Sequence, residues 1–234
     1  MFISSKDKII FIHIPKTGGT SIVNSLAFRM PYGTIYPETS RFFKLKRKLY
    51  KKIYNQVSFK KHEFALDIKQ ILGYQYNNFF SFAVVRNPWD WVASYFYFIK
   101  FAEISPDTKK PWKHHLYPKV KEMNFSDFVK WVTLEDGLSN LSERRRSSFA
   151  DKTPVLQKDW VVDLHGNLIV SYIAKFENLA KETNILSKML GKKLELPHVN
   201  KTKRPEYQKL YSDFTINLVE DYFKEDIIFF NYSF

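Results

Sequence analysis

Apolar residues in this chain fall into short solid runs and helical stripes, divided by turn residues. Ile9–Ile14 is a β-branched run closed by Pro15 and the Gly18-Gly19 pair, which predicts a buried strand followed by a tight loop. Ile22, Val23 and Leu26 then make the apolar stripe of a helix over Thr20–Arg29. Phe79–Val85 predicts a second buried strand. It runs into Arg86-Asn87-Pro88-Trp89-Asp90, where Pro88 suits the first position of a helix whose stripe is Trp91, Val92, Tyr95 and Ile99. Between the two units, Glu63–Leu72 repeats Phe64, Ala65, Ile68, Ile71 and Leu72, and Gly73 stops it.

The pattern loosens after residue 100. Ser105–Lys121 is rich in Pro, Lys and His and reads as a surface excursion that leaves His114 and His115 solvated or facing an acceptor. Helices are predicted at Asp127–Leu134, at Glu177–Leu190 before Gly191, and at Ser212–Phe223. Trp160–Val170, with His165-Gly166-Asn167 in its middle, predicts a hairpin, and Leu196–Pro205 a basic loop. Strand–loop–helix units with ligand-type loops imply an α/β fold with a central, mainly parallel sheet and helices on both faces. There is no internal repeat and no linker long enough to divide the chain, so a single domain over 1–234 is expected.

Composition narrows the chemistry. Cysteine is absent, which excludes a disulfide framework, thiolate catalysis and Cys-ligated metal. No apolar run approaches the ~18 residues of a membrane span, and Met1–Asp7 is too short and mixed for a signal peptide, so a cytoplasmic protein is expected. The net charge of +13 calls for an anionic partner without naming it.

Two loops carry candidate chemistry. In Ile14-Pro15-Lys16-Thr17-Gly18-Gly19-Thr20-Ser21 the glycines permit a tight turn and close approach of a ligand, and the next helix offers unpaired N–H groups. Thr17, Thr20 and Ser21 add hydroxyls, and Lys16 adds a charge. This is a phosphate or sulfate cradle. It departs from the Walker A order, in which Lys-Ser/Thr directly follows the last glycine. The second is Arg86, at the carboxyl end of the second strand, with Ser94 two helical turns on. Arg86 can clamp a phosphate bidentately, or it can simply pair with an acid such as Asp90.

Together, Phe11–Ser21 and Phe82–Pro88 followed by Ser94 closely resemble the carbohydrate sulfotransferases that use 3′-phosphoadenosine-5′-phosphosulfate (PAPS), above all bacterial members and the heparan 2-O-sulfotransferase-like branch. Weaker likeness extends through Lys61-His62, Lys175–Leu179, His198–Thr202 and Asn231-Tyr232. The resemblance implies a P-loop-like three-layer domain. It implies that Lys16, Thr17, Gly18, Gly19, Thr20 and Ser21 hold the 5′-phosphosulfate and that Arg86 and Ser94 hold the 3′-phosphate. It also implies that Lys201 and Thr202 lie on a loop closing over the nucleotide, and that Lys16 neutralises the leaving group. No metal is implied.

An attacking alcohol needs a base, and histidine suits neutral pH. Of the six histidines, His13 falls inside the first strand and reads as a core residue, and His165 as a hairpin tip. His62 precedes a helix at the ligand end of the sheet and matches the family's usual base, with Glu63 as the fallback. The acid-free stretch Arg41–Lys61 interleaves Lys and Arg with Phe, Leu and Tyr, and Arg144–Arg146 forms a second basic patch. Such a stretch suits an anionic glycan acceptor or a membrane surface as well as an ordinary solvated face. Two other classes stay open at this point: a nucleotide or sugar kinase with a variant loop, and a basic nucleic-acid binder without transfer activity. Neither accounts for the Arg86–Ser94 pair, and no specific nucleic-acid partner is expected.

Overall fold

The computed structural model of the chain describes residues 1–30, 34–35, 59, 61–105, 110–140, 156–196 and 204–234. It divides into two compact units. One comprises Met1–Val85 and Arg145–Val199, the other Arg86–Arg144 and Asn200–Phe234.

The first unit holds the sheet. Its strands are β1 (Phe2–Ser4), β2 (Ile9–Ile12), β3 (Thr34–Ile35), β4 (Phe80–Val85) and β5 (Tyr172–Lys175), in the order β3-β1-β2-β4-β5. β2, β4 and β5 are parallel, with Ile12 opposite Ala83 and Val85 opposite Lys175, while β1 pairs antiparallel with β2 and β3. The fold is therefore α/β with a parallel centre, as the apolar runs imply. Phe2, Ile9, Phe11, Phe82, Val84 and Ala174 form one core with Ile22, Val23 and Leu26 of α1 (Gly19–Arg29) and Leu186, further along the chain. The alternate residues Ile10, Ile12, Ala83 and Val85 are equally buried. Burial on both faces is why these strands read as solid apolar runs rather than alternating ones. Each fully buried Ile, Leu or Phe contributes about 2 kcal/mol of transfer free energy.

The helix α2 (Ala65–Leu72) ends at Gly73, whose φ of 56° an L-residue adopts at a cost. The hairpin expected at Trp160–Val170 is reduced to one antiparallel bridge, Val162 to Leu168. Asp163 tightens it by accepting from the backbone N–H of His165 and Asn167, both at 2.9 Å. The strand of this region is the next segment, β5. β1 is likewise absent from the sequence pattern, being only three residues long.

The second unit is helical. α3 (Pro88–Phe101) starts as expected, with Pro88 in its first turn and the Asn87 side chain accepting from Trp89 N–H at 3.1 Å. α4 (Tyr117–Val120), α5 (Phe125–Leu134), α6 (Leu179–Met189, which belongs to the first unit), α7 (Asp213–Tyr222) and α8 (Lys224–Phe230) complete the described α-helices. Asn124 caps α5 and the Ser212/Thr215 pair caps α7. Edge-to-face contacts of Phe96 with Phe125 (5.4 Å) and of Trp91 with Phe223 (5.9 Å) tie α3 to its neighbours. One expectation is corrected here. His114 is not solvated but 3% exposed, with its ring against Phe98 and Trp112 and its Nδ1 accepting from Leu116 N–H at 3.1 Å.

Candidate active site

The cradle loop of the first unit leaves β2 at His13 and enters α1 at Gly19. Lys16 and Gly18 both have positive φ, 64° and 80°. Two such residues in three turn the chain sharply, and the lysine backbone carries strain that a glycine would not. Thr17 is fully buried and its hydroxyl donates to Ile14 O at 2.9 Å. That side chain shapes the loop from within. Ser21 is buried in the first turn of α1, while Lys16, Gly18 and Thr20 stay half-exposed. No acidic residue lies in that turn, so no side chain of the turn itself offsets the positive end of the helix.

Two aromatic groups hold the loop. A Cβ on Gly18 would stand 3.0 Å from the Phe176 ring, just after β5. A Cβ on Gly19 would overlap the His13 imidazole at 2.0 Å. Gly19 is thus required for the space that His13 fills, whereas Gly18 is required for its backbone as well.

His13 joins the loop to His62. The two rings lie 4.5 Å apart, and His62 Nδ1 is 2.7 Å from the His13 carbonyl oxygen. A carbonyl only accepts, so Nδ1 carries the proton, and whenever the His62 ring is neutral its lone pair is on Nε2. His13 itself is 5% exposed. Burial, and then the charges of His62, the Met1 amino group, Lys61 and Lys16, hold its imidazole well below the ordinary histidine range, so it is neutral. Sequence reasoning placed His13 in the core but missed this contact, for which the only signal was its position three residues before Lys16. Glu63, the fallback base, is buried.

In the second unit Arg86, Asp90 and Ser94 follow one another at helical spacing along the start of α3. Arg86 Nε donates to Asp90 Oδ2 at 2.6 Å, and the two side chains are about nine-tenths buried. The pairing with an acid foreseen for Arg86 is therefore present. It engages one of the five N–H donors of the guanidinium. Ser94 is half-exposed. The strand-end motif is braced from the far end of the chain: Asn87 Nδ2 donates to Ser233 O at 2.7 Å, Trp89 Nε1 to Ile216 O at 3.1 Å, and Tyr211 Oη to Trp89 O at 2.9 Å. Burial and the nearby Asp90 charge push the Tyr211 phenol well above its usual range, so it remains a donor.

Lys201 and Thr202, Arg144–Arg146, and Arg41–Lys61 apart from Phe59 and Lys61, lie outside the described residues. Among the described residues no cluster of three or more His, Asp or Glu side chains is placed to hold a metal ion, and no helix is long and apolar enough to cross a membrane.

No curated protein matches the chain significantly. A family model, that of the sulfotransferase family, matches residues 1–233. It spans the cradle loop, the Arg86 motif and the braced C-terminal segment alike, and it makes the reaction class sulfuryl transfer rather than the kinase chemistry that a phosphate cradle also permits. This chain, with its P-loop-like α/β fold, belongs to the sulfotransferase family.

Proposed function

We propose that this protein moves a sulfuryl group from PAPS to a hydroxyl of a carbohydrate: a glycan, a glycolipid or a capsular polysaccharide. The observation that carries the mechanism is the 2.7 Å bond from His62 Nδ1 to the His13 carbonyl, which orients the imidazole at the end of the strand that feeds the Lys16 loop. In the proposed step the acceptor oxygen attacks sulfur while the bond from sulfur to the bridging oxygen breaks in line. His62 Nε2 takes the acceptor's proton. Lys16 and the amino end of α1 neutralise the charge that grows on the departing 5′-phosphate. Gly18, Gly19, Thr20 and Ser21 line the cradle, with Thr17 setting its shape. Arg86 and Ser94 supply donors for the 3′-phosphate, and Lys201 and Thr202 further donors to the nucleotide.

The carbohydrate acceptor rests on the sequence resemblance and on charge. Lys16 and Arg86 account for little of the +13 excess, whereas Arg41–Lys61 is acid-free and rich in Lys and Arg. That stretch suits a glycan bearing carboxylates, phosphates or sulfates, or a glycolipid at an anionic surface.

The test is transfer of labelled sulfate from PAPS to a panel of glycans and glycolipids, with His62→Ala beside the parent. The parent labels at least one carbohydrate. His62→Ala loses transfer by 10²-fold or more, as loss of a general base does, yet binds adenosine 3′,5′-bisphosphate as before. Labelling confined to phenols or peptides refutes the acceptor class, and undiminished turnover in His62→Ala refutes the base.

A further inference from the structure

The first unit has a second concave place, away from the cradle. It is a groove of about 320 Å³ walled by Lys69, Tyr76, Asn77, Phe79, Ser81 and Ser171. Ser81 opens β4 and Ser171 immediately precedes β5, so the groove lies at the amino ends of the parallel strands. The cradle leaves the carboxyl end of β2, beside β4, roughly 15 Å away at about 3.3 Å per residue. The wall is rich in hydroxyls. Tyr76 is buried and donates to Ile169 O at 3.1 Å, and burial raises its phenol above the ordinary range, so it keeps its proton. Ser81 and Ser171 hold each other: each backbone N–H donates to the other's Oγ at 3.2 Å. The two oxygens are 3.4 Å apart, so only one of their hydroxyl protons can lie between them. Ser171 is the exposed member of the pair. The side chains of Lys69, half-exposed, and Asn77, exposed, have no hydrogen-bond or ion-pair partner among the described residues. No Asp or Glu lines the groove, and the Lys8 ammonium stands 5.2 Å from the centre of the Phe79 ring. The field there is positive, and Phe79 and Ile169 add apolar surface.

We propose that this groove is a second saccharide site, which takes one acidic sugar unit of the glycan acceptor at a distance from the place of transfer. It rests on the carbohydrate reading of the acceptor. Its volume stands at the lower end of the range of small-molecule sites, about 300–1,000 Å³, which suits one sugar ring and not a nucleotide. Lys69 meets the carboxylate or sulfate ester of the sugar, and Asn77 and Ser171 meet its hydroxyls. The apolar surface takes the C–H face of the ring. A glycan long enough to reach from this groove to the cradle is held at two points, which raises the effective concentration of its reacting hydroxyl.

The experiment joins amide NMR titration of the full chain with transfer kinetics. The probes are glucuronate, glucose and inorganic sulfate, on the parent, Lys69→Glu and Asn77→Ala. Glucuronate shifts the amides of Asn77, Ile169 and Ser171 and binds about fivefold or more tighter than glucose or sulfate. Lys69→Glu removes that preference, and Asn77→Ala weakens glucuronate and glucose alike. In transfer, Lys69→Glu raises KM for a long acidic glycan by about fivefold or more, with kcat and the KM of its disaccharide unchanged. Sulfate binding as tightly as glucuronate overturns the saccharide class. Unmoved amides at the groove, or an unchanged KM for the long glycan, overturn the site. An equal rise of KM for long and short acceptors also overturns it, since the substitution then acts through the fold or the overall charge. A parent that labels no carbohydrate, yet binds glucuronate here, removes the acceptor reading and leaves the groove as a saccharide site.

Discussion

Gly19→Ala is the sharpest probe of the cradle. The added Cβ would lie 2.0 Å from His13 Cδ2 and 2.2 Å from Nε2. Carbon atoms in contact sit about 3.5–4.0 Å apart, so the ring or the helix start must move by roughly 1.5 Å. The ring has little room to yield: it is buried, stacked on Phe11 at 5.8 Å and set against His62 at 4.5 Å. Overpacking of this kind costs about 1–3 kcal/mol, and replacing glycine in a helix recovers at most about 1 kcal/mol. A net loss of about 2 kcal/mol lowers Tm by about 4–8 °C in a chain of this size. Displacing His13 also displaces His62, and if His62 is the base proposed above, an error near 1 Å there is worth about 10²-fold in rate. Thermal unfolding by circular dichroism and sulfate transfer read the two effects. His13→Ala removes the atoms that clash, so the double variant is more stable than the sum of the singles by about 1 kcal/mol or more. A parental Tm for Gly19→Ala, or strictly additive losses, would refute the argument that these two residues share one space.

Two further outcomes follow from the same loop. His13 is held neutral in the folded chain, with its pKa depressed, so the unfolded state binds the extra proton. Its contribution is present above the unfolded value near 6.5 and is lost as pH falls below it, at up to about 1.4 kcal/mol per pH unit. Urea titrations between about pH 7 and pH 5 on the parent and His13→Gln check this, and identical pH slopes would count against it. Gly18→Ala forces an L-residue to φ 80° and presses on Phe176 at 3.0 Å. A loss of about 1–2 kcal/mol is expected, together with weaker binding of adenosine 3′,5′-bisphosphate. Parental values for both would show that the loop relaxes freely.

The local grammar of the chain was legible where short-range forces act alone. Ile9–Ile12 and Phe80–Val85 are strands buried on both faces, so their apolar runs announce them. Pro88 starts α3, and Gly73 ends α2, because φ preferences and capping are properties of a few adjacent residues. β1 and β5 were not legible. Three or four residues carry too little period, and their strand character comes from β2 and β4 lying alongside. His114 misled for the opposite reason: its polar, Pro-rich neighbours hide a ring that Phe98 and Trp112 enclose.

By itself the sequence determined the α/β class, the cradle loop with its glycines, and the Arg86–Ser94 spacing, since each is written within a dozen consecutive residues. Only the tertiary structure decided which atoms of those motifs are engaged. The tautomer of His62 is set by a carbonyl 49 residues earlier, and a second cation on Asp90, Arg204, arrives from 114 residues later. Hydrogen bonds and ion pairs of that kind depend on the path of the chain through the fold, and no periodicity along the chain carries that information.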